Sequence, residues 1–325
     1  MAYLVGTDEA GYGPNLGPLV ISATVWEVPN RIDETSFEDL VAGAIARAIE
    51  ACREDADDVY RLVIADSKNL YKPNLGLRLL EQHFLAAISL WQRRPESWLD
   101  CWKLLAPEAA ELLTEAPWFE DFDEPLPWEA DSAEIDCIAQ AATQALAKLG
   151  VRLAMVRARV VFPEEFNDLV DRHQSKGEAL SHETLRLLAT VIEQLDRGPI
   201  RVVCDKHGGR NRYGRHLQEQ FPDVLIENYG ESREQSVYRF GPKQRRVEIC
   251  FRARGEAILP TALASMCSKY LRELAMRPFN HYWCRRVPEL RPTAGYPGDS
   301  RRFKEAIAVA QADLGIDDRS LWRER

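Results

Sequence analysis

The stretch from residue 3 to residue 14, YLVGTDEAGYGP, decides the fold. Its first half is an apolar run of strand type, and the turn residues Gly and Pro follow directly. A second apolar run, residues 18–28, lies beyond this turn, so the pattern predicts two adjacent strands in a hairpin. The first strand delivers Asp8 and Glu9 to its end, where the following glycines let a ligand approach the backbone closely. A tight turn with acidic flanks is the alternative interpretation.

Strands alternate with helices along the rest of the chain. Apolar periodicity and the positions of Pro and Gly predict strands at residues 151–162, 200–205 and 224–227. The same signals predict helices at residues 38–52, 75–91, 163–195 (interrupted near 175), 260–276 and 303–313. This alternation after an initial hairpin indicates an α/β protein with a mixed sheet.

Two segments do not fit this alternation. Residues 93–134 contain several tryptophans and an acidic cluster, and we interpret them as an insertion. Residues 236–253 form a predicted hairpin that turns at Gly241 and Pro242. The insertion's aromatic side chains could stack on bases, but their helical spacing favours a small satellite core. They are Trp98, Trp102, Trp118 and Trp128.

Composition limits the function classes. The chain has 325 residues, of which 46% are apolar, enough to bury a substantial core. A net charge of −9 argues against coating nucleic acid by bulk attraction, although a local basic groove remains compatible with it. Seven cysteines without a Cys-x-x-Cys pair predict neither a disulfide framework nor a zinc site. No apolar run approaches a membrane-spanning length, and we expect a cytoplasmic protein without membrane contact.

A series of ordered motifs resembles the ribonuclease HII family. Residues 8–14, DEAGYGP, followed by GPLV at 17–20, are similar to the family signature DEAGRGP followed by GPV. The resemblance continues in the family's order through DSK at 66–68, FPEEFN at 162–167, VVCD at 202–205, GE at 255–256, ASMCSKYLRE at 264–273, GYP at 295–297 and RS at 319–320. It covers most of the chain apart from the insertion and the added hairpin.

The resemblance implies a fold and a domain organisation. The expected architecture is ribonuclease H-like, with a mixed five-stranded sheet flanked by helices, an added hairpin and a C-terminal helical segment. We predict a catalytic domain at residues 1–275, which includes the insertion at 93–134 and the hairpin at 236–253. Residues 276–325 are the predicted substrate-contacting helical segment.

The resemblance also implies a metal site with four carboxylates at the open end of the sheet: Asp8, Glu9, Asp205 and Glu273. Carboxylates packed together repel one another, so such a group is tolerated mainly when cations occupy the space between them. Hard oxygen ligands select Mg²⁺ or Mn²⁺, and two such ions can activate water and stabilise a leaving oxygen. The family has Asp where this chain has Glu273, whose side chain is one methylene longer. If Glu273→Gln were fully active, Glu256 and Asp66 would be the next candidates for the fourth position.

Other matched positions imply substrate contacts. In the family, the backbone of the Gly-Arg-Gly turn senses a ribonucleotide 2′-hydroxyl, and a late tyrosine stacks on the adjoining sugar. The matching residues here are Gly11, Tyr12, Gly13 and Tyr296. A 2′-hydroxyl contact distinguishes RNA from DNA at one site. Tyr12 stands where the family has Arg, so any contact made by the arginine side chain is absent.

Six basic residues are candidate phosphate contacts: Lys68, Lys269, Lys206, Arg210, Arg212 and Arg215. Lys269 lies four residues before Glu273, so both side chains share one helix face, and an ordinary surface ion pair is the alternative. The last four residues of the set directly follow the strand that ends at Asp205. A solvated loop is the alternative for them.

The expected activity is an endonuclease that cuts the RNA strand of RNA·DNA hybrids, or DNA at an embedded ribonucleotide, and leaves 5′-phosphate and 3′-hydroxyl ends. The expected partner is therefore nucleic acid. A structure-specific DNA nuclease with the same metal chemistry is one alternative. A noncatalytic nucleic-acid-binding module is another, because a fold does not determine a function.

Overall fold

A single seven-stranded sheet forms the centre of the protein. The computed structural model describes residues 1–29, 62–71, 76–196, 198–253, 255 and 258–324. The strands are β1 (Ala2–Ala10), β2 (Leu19–Val28), β3 (Arg152–Val161), β4 (Ile200–Asp205), β5 (Glu227–Glu231), β6 (Gln235–Phe240) and β7 (Val247–Arg252). Their order across the sheet is β3-β2-β1-β4-β7-β6-β5.

Strand directions confirm the predicted mixed sheet. β2 runs antiparallel to both β1 and β3, whereas β4 is parallel to β1 and to β7. This arrangement matches the predicted ribonuclease H-like α/β class. The predicted number of five strands is wrong, because the added hairpin joins the same sheet instead of standing apart. Its second strand, β7, pairs with β4, and β6 and β5 extend the sheet outward from it.

Helices cover both faces of this sheet. They are α1 (Ser67–Leu70), α2 (Arg78–Ile88), α3 (Trp98–Leu105), α4 (Pro107–Leu112), α5 (Ser132–Leu149), α6 (Pro163–His173), α7 (Lys176–Glu193), α8 (Gly214–Gln220), α9 (Leu259–Arg286), α10 (Pro297–Asp313) and α11 (Asp318–Leu321). The predicted interruption near residue 175 is confirmed, because Ser175 caps α7 after α6 has ended. The helix predicted at 38–52 lies outside the described residues. None of the described helices is both long and apolar enough to cross a membrane.

Strand alternation divides the core into two layers. Tyr3 and Val5 of β1 point into the layer that contains α6 and α7, whereas Leu4 faces the layer that contains α9. The tryptophans of the insertion belong to the α9 layer: Trp98, Trp102 and Trp118 are buried, and Trp128 packs against it. Their indoles are consequently part of the main core rather than a surface for stacking bases.

The long helix α9 lies directly across β1. A Cβ at Gly6 would stand 2.2 Å from the Pro260 carbonyl carbon and from Thr261 N, so only glycine permits this approach. Thr24 Oγ1 donates to Pro260 O at 2.7 Å and fixes the same contact from β2. The helix continues to Arg286, across the predicted domain boundary after residue 275. This docking sets which α9 side chains lie beside the end of β1.

Candidate active site

Two parallel strands bring acidic residues to the same edge of the sheet. β1 and β4 pair with Thr7 opposite Cys204, so the next residues, Asp8 and Asp205, stand side by side. Glu9 follows Asp8 directly and points to the other face of the pleat. The strand register thus brings together three of the four carboxylates that the sequence predicts.

The local electrostatics oppose ionisation of this group. Burial, together with the charges of Asp205 and Asp66, raises the pKa of Asp8 to about 7. Burial and the charges of Asp8 and Asp205 raise the pKa of Glu9 to about 8, although nearby Lys68 lowers it. Carboxylates that hinder each other's ionisation in this way favour a cation placed among them.

Two serines of α9 contact the acidic residues, one at a backbone carbonyl and one at carboxyl groups. Ser268 Oγ donates to Asp8 O at 2.9 Å and contacts Ser22 Oγ at 2.8 Å. One turn earlier, Ser265 Oγ donates to Asp66 Oδ1 at 3.4 Å, and its hydrogen bond to Asp8 lowers the pKa of that carboxyl. Sequence reasoning did not assign these roles. The signal was present, since both serines lie in the matched motif at residues 264–273 and are three residues apart on one helix face.

Glu273 lies with a different set of side chains. One of its carboxylate oxygens accepts a hydrogen bond from Tyr71 Oη at 3.1 Å, and the other accepts one from Lys269 Nζ. The Lys269 ammonium also stands 4.0 Å from the centre of the Tyr71 ring. Glu273 is five residues beyond Ser268, which is about 7.5 Å farther along a helix. The structure therefore places Glu273 beside Tyr71 and Lys269, while the carboxylates whose charges act on Asp8 are Asp205 and Asp66.

The fourth carboxylate position has two other candidates. Asp66 caps α1 by accepting from Lys68 N at 3.1 Å, and its charge acts on Asp8. Glu256 lies outside the described residues, but its neighbour Gly255 donates its N–H to Asp205 Oδ1 at 3.2 Å. Asp66 and Gly255 are therefore adjacent to the strand-end carboxylates.

The donor set suits a hard divalent cation. In the part of the chain that the structure describes, no three Asp, Glu, His or Cys side chains are grouped closely enough to hold one metal ion. The neighbouring donors at the sheet edge are nevertheless carboxylate oxygens, those of Asp8 and Glu9 with raised pKa values, and carboxylates are the ligands that Mg²⁺ and Mn²⁺ prefer. The chemistry of the residues fits the predicted ions.

The turn after β1 is buried at Gly11 and exposed at Gly13. Gly11 has a φ of +88°, which favours glycine, and a Cβ at Gly13 would meet nothing within 4 Å. Tyr12 is half-buried, and its hydroxyl lies 3.7 Å from the positions that Cβ atoms would take at Gly177 and Gly208. The tyrosine side chain is thus directed towards the start of α7 and the loop after β4.

Two further predicted contact residues lie at the surface. Tyr296 caps α10 and is 52% exposed, so its ring is available to stack on a ligand. The Lys68 side chain is 82% exposed, and its ammonium lies 3.6 Å from Asp66 Oδ2. Its charge also acts on Glu9. Lys68 therefore stands close to the carboxylates and in reach of solvent.

The four basic residues after Asp205 divide into two pairs. Lys206 Nζ donates to a backbone carbonyl between β5 and β6 at 2.5 Å, and Arg210 Nη2 donates to Glu178 Oε1 at 2.6 Å. Arg212 and Arg215 instead extend into solvent, with side chains 90% and 86% exposed. Each of them meets one surface carboxylate, at 3.8 and 2.7 Å respectively. Arg212 and Arg215 are consequently the two members of the loop that a substrate could reach without rearrangement.

Comparisons with known proteins give matches only at the level of structure. No protein-family model matches this chain, and no curated protein sequence matches it. Solved structures similar to it include the PCNA:RNase HII complex from Archaeoglobus fulgidus, with 14% identity and a TM-score of 0.41 over 99% of this chain and 94% of that chain. Ribonuclease H2 from Pyrococcus horikoshii OT3 has 17% identity and a TM-score of 0.46 over 98% of this chain and 92% of that one.

A third similar structure is Bst-RNase HIII in complex with Mn²⁺, with 12% identity and a TM-score of 0.41 over 99% of this chain and 66% of that chain. At such identities the function has to be argued from this chain's own residues. These three similar structures are thus an RNase HII, a ribonuclease H2 and an RNase HIII.

Proposed function

We propose that this chain is a divalent-metal-dependent endonuclease. Its substrate is the RNA strand of an RNA·DNA hybrid, or DNA at an embedded ribonucleotide, and its products have 5′-phosphate and 3′-hydroxyl ends. The observation that carries the proposal is the convergence of Asp8, Glu9 and Asp205, two of which have raised pKa values, at one edge of the sheet. Perturbed carboxylates of this kind cluster at functional sites.

Asp8, Glu9 and Asp205 would hold two Mg²⁺ or Mn²⁺ ions. When bound, the ions supply an activated water molecule and stabilise the leaving 3′ oxygen. Ser268 and Ser265 keep the Asp8 backbone and carboxyl in position. We propose Glu256 or Asp66 for the fourth ligand position. Glu273 would orient Lys269, since its carboxylate accepts hydrogen bonds from Tyr71 and from the lysine.

Substrate contacts would surround this group on three sides. The backbone of residues 11–13 and the exposed ring of Tyr296 would meet the ribonucleotide. Lys68, Lys269, Arg212 and Arg215 would meet the phosphates, which position a nucleic acid without reading its sequence. A few local cations of this kind are compatible with a net charge of −9.

Cleavage assays on three matched duplexes test the proposal. We expect Mg²⁺- or Mn²⁺-dependent cuts in an RNA·DNA hybrid or at a single embedded ribonucleotide, no cuts in the all-DNA duplex, and loss of activity in EDTA. Asp8→Asn serves as the control for contaminating nucleases. A purified protein that cuts none of the three duplexes with either ion would contradict the proposal.

A second candidate function is a structure-specific DNA nuclease. It is favoured by Tyr12, which stands where the resembled family has Arg and whose hydroxyl is packed towards Gly208. A contact from an arginine side chain at this position is therefore replaced by an internal one. Cleavage of branched all-DNA substrates at a rate above that of the ribonucleotide-containing duplex would select this candidate.

The setting of the protein is part of the same proposal. Six described cysteines are free thiols, and four of them are buried, which suits a reducing compartment such as the cytoplasm. Residues 1–275 would form the catalytic unit, and residues 276–325 would contribute substrate contacts through Tyr296.

A further inference from the structure

The last described residues of the chain lie against the turn that follows β1. We call residues 318–324 the C-terminal strap and residues 11–16 the glycine loop. Leu16 and Trp322 form an antiparallel bridge. Arg323 N donates to Asn15 O at 2.8 Å, and Asn15 Nδ2 donates back to Arg323 O at 3.1 Å. These contacts join two segments that are about 300 residues apart in sequence.

The side chain of Arg323 is fully buried beneath the glycine loop. Its Nη2 donates to Gly11 O at 2.6 Å and also to Pro14 O, and its Cζ lies 4.6 Å from the centre of the Phe166 ring. Among the described residues its Nε and Nη1 have no hydrogen-bond partner, and no carboxylate pairs with it. Burial and the charge of Arg272 lower the pKa of Arg323 to about 9. A buried cation held only by carbonyl dipoles and an aromatic face is costly, so its retention calls for a role.

The strap has its own attachment, which does not involve the glycine loop. Asn167 Nδ2 donates to Trp322 O at 2.8 Å, and Asn167 Oδ1 accepts from Glu324 N at 3.0 Å. Arg319 Nη2 donates to Asp168 Oδ1 at 2.8 Å on the same helix, α6. The hydrogen bonds of the buried Asn167 thereby fix the end of the strap to α6, whereas the ion pair of Arg319 is exposed to solvent and adds little. Arg323 transmits the position of the strap to the loop.

The hydrogen bond from Arg323 determines which way one peptide group of the loop faces. In a planar trans peptide the C=O and the following N–H point in opposite directions. Because Gly11 O points inward to Arg323, the N–H of Tyr12 points away from it. In the described part of the chain no group accepts a hydrogen bond from Tyr12 N–H, and the space beside Gly13 is open. A donor of fixed direction therefore stands in the loop three residues after Glu9, beside the exposed Gly13.

We propose that Arg323 is a positioning residue that fixes the Gly11–Tyr12 peptide and, through it, the affinity of the glycine loop for substrate. The inference rests on the proposed function, because it takes the ligand of the glycine loop to be the nucleic acid that is cleaved at the carboxylate site. Arg323 itself does not touch the substrate. It acts through the backbone that does.

Hydrogen exchange tests, independently of activity, whether Arg323 fixes the Gly11–Tyr12 peptide. Arg323→Met removes the donor, Arg323→Lys keeps a charge with a different geometry, and Arg319→Met is the matched control in the same strap. We expect amide exchange across residues 11–16 to rise at least tenfold in Arg323→Met, less in Arg323→Lys, and not in Arg319→Met. Exchange equal to that of the control, or a rise spread evenly over the whole protein in both Arg323 variants, would overturn the inference.

Steady-state cleavage of the embedded-ribonucleotide duplex tests the functional half. Arg323→Met should raise KM about tenfold and leave kcat within about threefold, with partial rescue in Arg323→Lys. If Arg323→Met does not fold, Arg323→Lys is compared with Arg319→Met in the same assay and should show the KM increase alone. Wild-type cleavage with an unchanged KM in the Arg323 variants would overturn the inference and leave the proposed function standing. Absence of wild-type cleavage would instead refute the proposed function.

Discussion

The sequence predicted metal ligands in two regions, the ends of β1 and β4 and the middle of α9. In the structure, the predicted ligands of these two regions have different neighbours. At the strand ends, Asp8 and Asp205 are neighbours because the pairing of Thr7 with Cys204 leaves them no other arrangement. On α9, Glu273 lies with Tyr71 and Lys269, whereas two serines of the same helix contact the strand-end region.

The difference follows from how each position is determined. A residue at the end of a strand is placed by the strand itself, whose extent sequence periodicity predicts. A residue on a helix is placed by the point at which the helix docks, and here a glycine in another element sets that point. The position of a carboxylate at a strand end can therefore be predicted from sequence more safely than that of a carboxylate on a helix. We expect mutations in the two regions to have different effects.

The largest effect is expected at the strand ends. Asp8→Asn and Asp205→Asn should each reduce kcat by at least a thousandfold, equivalent to about 4 kcal/mol, because an amide lacks the charge that holds the ions. Duplex binding and thermal stability should remain near wild type. Single-turnover cleavage and a binding titration check both statements. If either variant retained a tenth or more of the wild-type rate, the substituted residue would not be a metal ligand.

The next effect concerns the docking that separates the two regions. Gly6→Ala places a Cβ 2.2 Å from backbone atoms of Pro260 and Thr261, so α9 must move or β1 must bend. We expect a loss of about 3 kcal/mol in the free energy of unfolding, measured by urea denaturation. Gly13→Ala is the matched control, since its Cβ would meet nothing within 4 Å. Equal stability of the two variants would show that the close approach of α9 to β1 is not as described.

A smaller effect is expected on α9 itself. Glu273→Gln keeps an acceptor for Tyr71 but leaves the Lys269 ammonium without its ion pair, so cleavage should fall by about tenfold or less, mainly through KM. Asp66→Asn and Glu256→Gln, assayed beside it, should lower kcat more if either supplies the fourth ligand. A hundredfold fall in kcat for Glu273→Gln, without a similar fall for the other two variants, would support the sequence prediction that Glu273 is the fourth metal ligand.

The smallest effect should come from the exposed arginines. Replacing Arg212 and Arg215 by Met should reduce the log–log salt dependence of duplex binding by about two, nearly one for each lost phosphate contact. Arg210→Met is the comparison, because its guanidinium is partly buried and paired with Glu178. That variant should change stability rather than the salt slope. If the double replacement left the slope unaltered, Arg212 and Arg215 would be ordinary solvated residues that do not contact the duplex.

Much of the fold was predictable because its signals are local. The hairpin of β1 and β2, the strand ending at Asp205 and the break between α6 and α7 all follow from periodicity and from Pro, Gly and Ser positions. The number of seven strands was not predictable from local signals. The added hairpin joins the sheet because β7 pairs with β4, which is a long-range contact. The roles of Ser265, Ser268 and Arg323 likewise depend on contacts between distant segments.

Binding of Mn²⁺ as a function of pH tests the central claim most directly. Because the pKa values of Asp8 and Glu9 are raised to about 7 and about 8, both carboxyls are largely protonated at pH 6 and must lose protons to bind a cation. Calorimetric titration should therefore show Mn²⁺ affinity that rises from pH 6 to pH 8.5 with proton release, and Asp8→Asn should abolish or greatly weaken binding. Affinity that is independent of pH and unchanged in Asp8→Asn would contradict a metal site at the ends of β1 and β4.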